Sequence, residues 1–249
     1  VHRGQFVHRK TLQRALAERG LVAFVADGSL LAREPGRDGA LRRDGREVAF
    51  ESPPSLGVEI DLPRAGRTRG MGIPAGVTVV VGGGFHGKTT LLDAIAAAVR
   101  PHPPGDGRER VASHPGTVAV RAEPGRSVRR ADLSGFLLAL PTGECPADFS
   151  ADSASPVASE AASVAEAIEA GARVLLFDED TSAPSFLARD GRMQRLVPRP
   201  GEPIVPLVDR AREMYERLGV STILATGGSG DVLEAAHTVI RMREWGAED

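Results

Sequence analysis

This sequence has only one cysteine, no long apolar run and no excess of positive charge. Its single cysteine, Cys145, cannot form a disulfide within the chain, and such scarcity is typical of a reducing compartment. Apolar runs such as Val174–Phe177 are far too short to cross a bilayer. The first residues, Val1-His2-Arg3, carry no apolar targeting segment. We therefore expect a cytoplasmic protein with no membrane segment.

Charge is nearly balanced, with 31 Lys and Arg residues against 33 Asp and Glu residues and a net charge of −2. No bulk positive field therefore draws the chain to nucleic acid or to an anionic membrane. Lysine is rare, since only Lys10 and Lys88 occur, and a lysine in a special context is correspondingly informative. The 249 residues suffice for one large domain or for a domain with an appendage. Because the first residue is not Met, we expect a fragment of a longer protein.

Short apolar runs alternate with amphipathic stretches over most of the chain. β-Branched runs without polar alternation predict strands that are buried on both faces. Predicted strands are Leu21–Ala26, Val58–Leu62, Val77–Val81, Val174–Phe177 and Val220–Ala225, with an edge strand at Val239–Met242. Predicted helices are Thr11–Arg19, Thr89–Val99, a segment capped by Ser155 or Ser159 and ended by Gly171, Asp209–Leu218 and Val232–Ala236. Further regular elements are expected at Val118–Ala122 and Leu133–Leu140. This alternation predicts an α/β fold with a largely parallel sheet flanked by helices.

One segment carries a specific phosphate-binding pattern. Residues 82–89 read Gly-Gly-Gly-Phe-His-Gly-Lys-Thr and match G-x-x-x-x-G-K-[ST] between a predicted strand and a predicted helix. Glycines let successive backbone N–H groups turn toward phosphate oxygens, and the helix adds the positive end of its dipole. Lys88 supplies a mobile charge for the β- and γ-phosphates, and the hydroxyl of Thr89 is a Mg²⁺ ligand. The residues expected to hold ATP here are Gly82, Gly83, Gly84, Phe85, His86, Gly87, Lys88, Thr89 and Thr90.

A pair of carboxylates ends the apolar run Val174–Phe177. In a P-loop fold, Asp178 at the end of this strand would hold Mg²⁺. Glu179 would orient or deprotonate the attacking water, which makes Glu179 and Lys88 the predicted catalytic residues. Many strands end in acids, so the interpretation depends on the phosphate loop that precedes them. The Asp-Glu pair favours hydrolysis over phosphoryl transfer to a bound acceptor.

A Ser-rich turn and a helix precede this acidic strand, and that order is the one found in ATPases of the ABC class. There the turn and the helix start bind the γ-phosphate held by an opposing subunit. Ser153, Ser155 and Ser159 are candidates for this contact, and Ser155 is the one that we choose. The alternative is a Ser/Ala linker that only caps a helix.

Several longer motifs resemble the predicted family named ATPase of the ABC class, from bacteria and protozoa. They are Gly70–Pro74 leading into Val77–Thr90, Phe50–Leu56, Arg121–Glu123 with Gly125–Val128, Asp178–Ala183 and Gly227–Asp231. The resemblance extends from Leu21 to Met242, and members of the family are typically much longer. It implies a P-loop NTPase fold of the ABC-ATPase type, ATP as the ligand and RNA as a candidate partner. The phosphate loop, the acidic strand and the Ser-rich turn together predict Mg²⁺ as a further cofactor and a head-to-tail homodimer. We place the boundary of the ATPase domain, residues 51–249, after an N-terminal segment, residues 1–50.

Two departures from related proteins bear on catalysis. Where the family has roughly A-S-G-S-T-S-Q, this chain has Ala154–Glu160, in which Pro156 lacks an N–H and Glu160 would put negative charge near a phosphate. No histidine follows the third strand as it does in transporter ATPases. By analogy Thr226, Ser229 or Asp231 would sense the γ-phosphate there, unless the segment is only a Gly-rich turn. Glu123 stands at the position of the transporter glutamine and is a candidate contact for Mg²⁺ or for water.

Four functions compete. The leading hypothesis is a Mg²⁺-dependent ATPase that dimerises head to tail, and the runner-up is a nucleotide-gated module that binds RNA or protein with little hydrolysis. A transporter motor lacks support because no membrane segment is present, and a small-molecule kinase would not need the second acid. The basic cluster of Arg126, Arg129 and Arg130 has no interleaved aromatic residues and is a weak platform for RNA.

Overall fold

The structure is a computed structural model that describes residues 2–34, 45, 47–63, 65–140, 143–198, 201–228 and 230–248. In this part of the chain the helices are α1 (His2–Glu18), α2 (Lys88–Ala97), α3 (Pro156–Glu169), α4 (Pro184–Leu187), α5 (Gly191–Leu196) and α6 (Leu207–Leu218). The strands are β1 (Leu21–Ala26), β2 (Gly57–Leu62), β3 (Gly66–Pro74), β4 (Val77–Val81), β5 (Val111–Ser113), β6 (Thr117–Ala119), β7 (Val128–Ala131), β8 (Phe149–Ala151), β9 (Val174–Asp178), β10 (Ser221–Thr226), β11 (Thr238–Arg243) and β12 (Gly246–Glu248). Short 3₁₀ turns lie at Pro54–Leu56, Pro146–Asp148, Glu179–Thr181 and Gly230–Ala235.

The larger sheet has the strand order β12-β11-β4-β10-β9-β6. Neighbouring strands from β11 to β6 are parallel, and β12 runs antiparallel to β11. Val79 and Val80 on opposite faces of β4 are both fully buried, which explains the valine-rich sequence of this strand. The register pairs Val81 with Thr226 and Ala225 with Asp178. The carboxyl ends of β4, β10 and β9 therefore lie side by side, and the end of the sheet that they form is its carboxyl edge.

The smaller sheet is antiparallel, with the order β2-β3-β1-β5. Helix α1 covers it with Leu12 and Leu16, which lie one turn apart and are buried against Phe24 of β1. Because β1 pairs with both β3 and β5, this sheet joins strands from before and after residue 50. A division of the chain near residue 50 stays a prediction.

Two apolar cores lie on the two faces of the parallel sheet. One of them, shared with α2 and the smaller sheet, includes Ile95, Val80 and Ile73. The other lies under α3 and α6 and includes Val164 and Leu207. The predicted α/β architecture, with a largely parallel sheet flanked by helices, is thereby confirmed.

Three predicted elements differ from the structure. The apolar stretch Leu133–Leu140 forms turns, with an isolated bridge between Leu137 and Ile204. Its apolar residues are buried in the core although they belong to a loop. Strand β11 is not at the edge of its sheet, since β12 pairs with its outer side. The predicted helix at Val232–Ala236 is the 3₁₀ turn Gly230–Ala235.

Candidate functional site

The phosphate-loop residues connect β4 to α2 at the carboxyl edge of the parallel sheet. Helix α2 begins at Lys88 directly after Gly87. The first N–H groups of a helix have no partner within it, so these are the donors that an anion in the loop would meet. Phe85 has a φ of 62° and is 97% exposed, so its ring projects into solvent and its backbone is what the loop can offer a ligand. The half-buried imidazole of His86 lies beside Gly83.

The ammonium group of Lys88 bonds to the loop itself. Its Nζ donates to the carbonyl oxygen of Gly82 at 2.8 Å and to that of Gly83 at 3.0 Å. The positive charge is thus held across the loop, where a P-loop ligand places its phosphates. A phosphate oxygen would be a better acceptor than these carbonyls, because a bond between two charged groups is shorter and stronger.

Glu179 follows β9 but bonds to the end of β10. Its Oε2 accepts the hydroxyl of Thr226 at 2.8 Å and the backbone N–H of Gly227 at 2.5 Å. A Cβ atom built on Gly227 would lie 3.7 Å from Lys88 Nζ and 3.8 Å from Glu179 Oε2. The lysine, the glutamate and this turn therefore converge on one point, which stays open because residue 227 has no side chain.

The turn after β10 was only partly anticipated. Thr226 was one of three candidates there, and it is the one that touches Glu179. Asp231 lines a cavity of about 450 Å³ together with Glu179 and Thr226. Ser229 lies outside the described residues. The role of Gly227 was missed, and the run of glycines after the third predicted strand was the available signal.

Asp178 and Thr89 line one small cavity of about 30 Å³ beside the phosphate loop. Oδ1 of Asp178 accepts the N–H of Asp180 at 3.2 Å, whereas Oδ2 is buried and has no hydrogen-bond partner in the described part of the chain. A buried carboxylate oxygen without a partner costs free energy, which a cation beside it would offset. Carboxylate and hydroxyl oxygens are the ligands that Mg²⁺ prefers. Asp178 and Thr89 therefore fit a magnesium ion.

Asp93 lines the same cavity, one turn after Thr89 on α2. Burial raises the pKa of this carboxyl, and Arg121, 3.6 Å away, lowers it in part. Sequence reasoning missed Asp93. Its spacing of four residues from Thr89, which places both on one helix face, was the available signal.

Glu123 stands apart from these groups. Its exposed carboxylate lies 3.8 Å from Nε of Arg126 and is not among the groups that line the cavity of Asp178 and Thr89. Its backbone N–H donates to Ser159 Oγ at 3.0 Å. Its assignment as a Mg²⁺ contact stays a prediction.

The start of α3 is capped by Ser155, whose Oγ accepts the N–H of Ala158 at 3.2 Å. Pro156 occupies the first helical position, where its missing N–H removes no bond within the helix. Ser159 is buried and donates to the carbonyl of Pro156 at 2.7 Å. Among the candidate serines, Ser153 and Ser155 are therefore the exposed ones.

Glu160 does not lie where the sequence suggested. The carboxylate was expected near a bound phosphate at the helix start, but it is fully buried and accepts the N–H of Ala183 at 2.7 Å. Burial raises its pKa, and this backbone bond lowers it in part. The side chain faces inward because position 160 lies on the side of α3 that packs on the core. It joins the start of α3 to the loop after β9.

The basic cluster of Arg126, Arg129 and Arg130 is neutralised locally. The carboxylate partners are Glu166 at 2.9 Å from Arg126, Asp148 at 3.2 Å from Arg130, and Asp152 beside Arg129. Paired arginines in this arrangement offer little net charge to a polyanion.

The sheet order, the phosphate loop and the carboxylates at its edge agree with a comparison against protein families. The family model ABC_ATPase, described as a P-loop domain, matches residues 2–249. The chain belongs to the ABC_ATPase family. As an ABC_ATPase P-loop domain it binds ATP.

A curated protein and several solved structures are similar to this chain. The uncharacterized protein MJ1628 of Methanocaldococcus jannaschii is 29% identical over 239 residues, which are 92% of this chain and 51% of that protein. The chain thus spans about half the length of the curated relative that it matches. Among solved structures, cbiO1 from Clostridium perfringens, part of the ABC transporter complex cbiONQ, has a TM-score of 0.52 at 16% identity, with 92% of this chain and 87% of that one covered. MJ1267 in its ADP conformation, an ATP-binding cassette of an ABC transporter, has a TM-score of 0.50 at 12% identity, with 91% and 89% covered.

At these identities the solved structures show the fold alone. The P-loop NTPase fold of the ABC ATPases, predicted from the sequence, is confirmed. None of the described helices is both long and apolar enough to cross a membrane.

Proposed function

We propose that this ABC_ATPase domain hydrolyses ATP in a Mg²⁺-dependent reaction, with Glu179 as the general base. The observation that supports the proposal is the fixed position of the Glu179 carboxylate, which Thr226 and Gly227 hold close to the ammonium group of Lys88. Both of those bonds use Oε2, so we assign Oε1 to the attacking water. A general base needs such placement within hydrogen-bond reach of the proton that it removes.

In this reaction Lys88 and the loop N–H groups bind the β- and γ-phosphates. Asp178 and Thr89 would hold Mg²⁺, and the ion would neutralise part of the phosphate charge. Glu179 takes one proton from water as the water oxygen forms a bond to the γ-phosphorus. The bond from that phosphorus to the β,γ-bridging oxygen breaks, and ADP and inorganic phosphate leave. After the products have left, the ammonium group of Lys88 again donates hydrogen bonds to the carbonyl oxygens of Gly82 and Gly83.

We propose further that a second copy completes the site in a head-to-tail dimer. The exposed Ser155 at the start of α3 would contact the γ-phosphate of the opposing subunit, as a helix N-terminus suits an anion. The fully exposed ring of Phe85, beside the phosphate loop, would be covered in the same dimer. A cytoplasmic location and an association with RNA stay predictions.

The test is ATP turnover with Mg²⁺, measured per subunit over a range of protein concentrations. Glu179→Gln keeps an oxygen that accepts from Thr226 and Gly227 but removes the base, so the rate constant should fall roughly 10²-fold to 10⁴-fold while ATP still binds. Glu59→Gln is the matched control, because Glu59 is an exposed residue of the smaller sheet. Retained turnover in both Glu179→Gln and Lys88→Ala would refute the proposed mechanism.

A second function is favoured by the start of α3. Ser159 and Glu160 face inward, so the altered signature offers an opposing nucleotide fewer polar groups than the family pattern has. The domain would then bind ATP, hydrolyse little and present a surface to another molecule. A low turnover rate that neither RNA nor higher protein concentration raises, beside clear ATP binding, would select this function.

A further inference from the structure

The segment that follows β6 carries an exposed arginine, Arg121, at the carboxyl edge of the parallel sheet. The backbone N–H of Val120 donates to the carbonyl oxygen of Leu176 in β9 at 2.9 Å. The backbone N–H of Ala122 donates to the carbonyl oxygen of Thr181, in the turn after β9, at 3.0 Å. Both chain neighbours of the arginine are thus bonded to β9 and its turn, so the base of the arginine side chain is fixed beside the turn that begins with the proposed general base.

The side chain of Arg121 lies at the site that fits a magnesium ion. It lines the cavity of about 30 Å³ that Thr89 and Asp178 also line. Among the described residues that line this cavity, Arg121 carries the positive charge. A magnesium ion in a P-loop site bridges oxygens of the β- and γ-phosphates. The long side chain of Arg121 therefore has the γ-phosphate within its reach.

The ion pair that Arg121 makes is weak. Its Nη2 lies 3.6 Å from Oδ1 of Asp93 on α2, which is too far for a hydrogen bond. The two side chains are 58% and 53% exposed, and ion pairs between exposed groups contribute little because water and salt screen them. A phosphate group has more acceptor oxygens and suits the planar fork of a guanidinium. Arg121 can therefore leave Asp93 at small cost when a triphosphate is bound.

Neighbouring charged groups do not offer the same cation. Arg126 is committed to α3, since its guanidinium donates to Glu166 at 2.9 Å and to the carbonyl oxygen of Ser159 at 3.3 Å. The residue at the position of the transporter glutamine is Glu123, which bears a negative charge. Arg121 is thus a group additional to the one that this comparison with transporters singles out.

We infer that Arg121 is an arginine finger supplied within the chain, which leaves Asp93 and donates hydrogen bonds to the γ-phosphoryl group during its transfer to water. The inference rests on the nucleotide site of the proposed function. In the transition state negative charge spreads over the γ-phosphoryl oxygens, and an arginine that meets this charge raises kcat by roughly 10³-fold to 10⁵-fold. Asp93 holds the guanidinium beside the site while no triphosphate is bound.

A transition-state analogue tests the inference without turnover. ADP with aluminium fluoride and Mg²⁺ imitates the phosphoryl group in transfer, and in Arg121→Gln its dissociation constant should rise roughly 10³-fold, in parallel with a fall of kcat. The dissociation constant for ADP with Mg²⁺ alone should stay the same, which also shows that the variant is folded. Arg121→Lys should recover little, because an ammonium group lacks the fork of donors. Arg67→Gln is the matched control, since Arg67 is an exposed arginine of β3 that lies 3.4 Å from Glu59.

A double-mutant cycle separates this role from a structural one. If Arg121 served only to pair with Asp93, its replacement would have no effect once Asp93 had been changed to Asn. We expect Arg121→Gln to lower the affinity for the analogue by the same factor in the Asp93→Asn background as in the wild type.

Two results would overturn the inference. One is an Arg121→Gln variant whose affinities for the analogue and for ADP change by the same factor or do not change. The other is a loss of affinity that disappears in the Asp93→Asn background. A wild-type protein that binds the analogue through Arg121 but does not turn over ATP would refute the proposed hydrolysis and support the contact of Arg121 with the γ-phosphoryl position.

Discussion

Two hydrogen bonds fix the carboxylate of Glu179, and one of them comes from a side chain that can be changed without changing its shape. Thr226→Val removes the hydroxyl and keeps the volume of a residue that is buried at the end of β10. A hydrogen bond to a charged group contributes about 1.5–3 kcal/mol, so we expect turnover to fall roughly 10-fold to 100-fold with little change in ATP affinity. Steady-state kinetics and a separate binding titration measure the two effects. Thr226→Ser should behave as wild type, and an equal loss in both variants would contradict a role for the hydroxyl.

A second residue-scale prediction concerns Glu160, whose pKa is raised by burial. The folded state then binds the proton more tightly than the unfolded state, so ionisation costs stability at pH values above the ordinary pKa of glutamate. Glu160→Gln removes this cost and keeps an acceptor for the N–H of Ala183. We expect the variant to be more stable by about 1 kcal/mol at neutral pH, and the gain to disappear as the pH falls through the range in which Glu160 is protonated.

Urea unfolding at pH 8 and at pH 4.5 or below measures this difference. Glu166→Gln is the control on the same helix, because Glu166 is exposed and pairs with Arg126. A gain that is the same at both pH values would show that charge at position 160 is not its source.

At the scale of elements, α3 allows the capping role of Ser155 to be separated from a ligand role. Ser155→Ala removes the cap and should cost about 1 kcal/mol of stability. Ser155→Asp keeps a cap of equal strength but adds a negative charge at the helix start. In a head-to-tail dimer that charge would repel the γ-phosphate of the opposing subunit, so Ser155→Asp should be as stable as wild type yet lose the concentration-dependent part of turnover. Full turnover in Ser155→Asp would show that Ser155 only caps the helix.

The elements that could be predicted from sequence are those whose pattern is local. Val77–Val81 is a run of β-branched residues, which is typical of a strand buried on both faces, and its bounds agree with those of β4. The phosphate loop follows from its motif for the same reason. The prediction of a regular element at Leu133–Leu140 was wrong. An apolar run indicates only that its residues are buried, and here the buried residues belong to a loop.

Non-local features of the site could not be predicted. Asp93 and Gly227 lie near the phosphate loop because of the packing of α2 and the strand order of the sheet. The spacing of Asp93 from Thr89 and the glycine run after β10 are local signals, but neither of them shows which groups the folded chain brings together. The inward direction of Glu160 was missed likewise, because it depends on which face of α3 packs on the core.

On the scale of the whole molecule, the smaller sheet tests the division of the chain near residue 50. β1 is hydrogen-bonded to β3 and to β5, so removing residues 1–50 would leave two strands with unpaired edges and would expose Ile60 and Ala112, which pack with α1 and β1. We expect residues 51–249 alone to aggregate or to unfold without cooperativity, which circular dichroism and size-exclusion chromatography would show. A monomeric, cooperatively folded fragment would support an independent domain that begins at residue 51.

The central strand of the parallel sheet has a consequence for the order of events during synthesis. β4 is made early, but its neighbours β10 and β11 come much later, and Gly76 at its start bonds to Ser221, 145 residues further on. At about 5–20 residues per second, the ribosome needs roughly 7–30 s to supply that partner. During this interval the phosphate loop exists as chain without its full set of supporting strands, and Thr226 and Gly227, which bond to Glu179, are still unmade. ATP would therefore be a ligand of the finished domain alone, and its binding would stabilise only chains whose translation had passed β11.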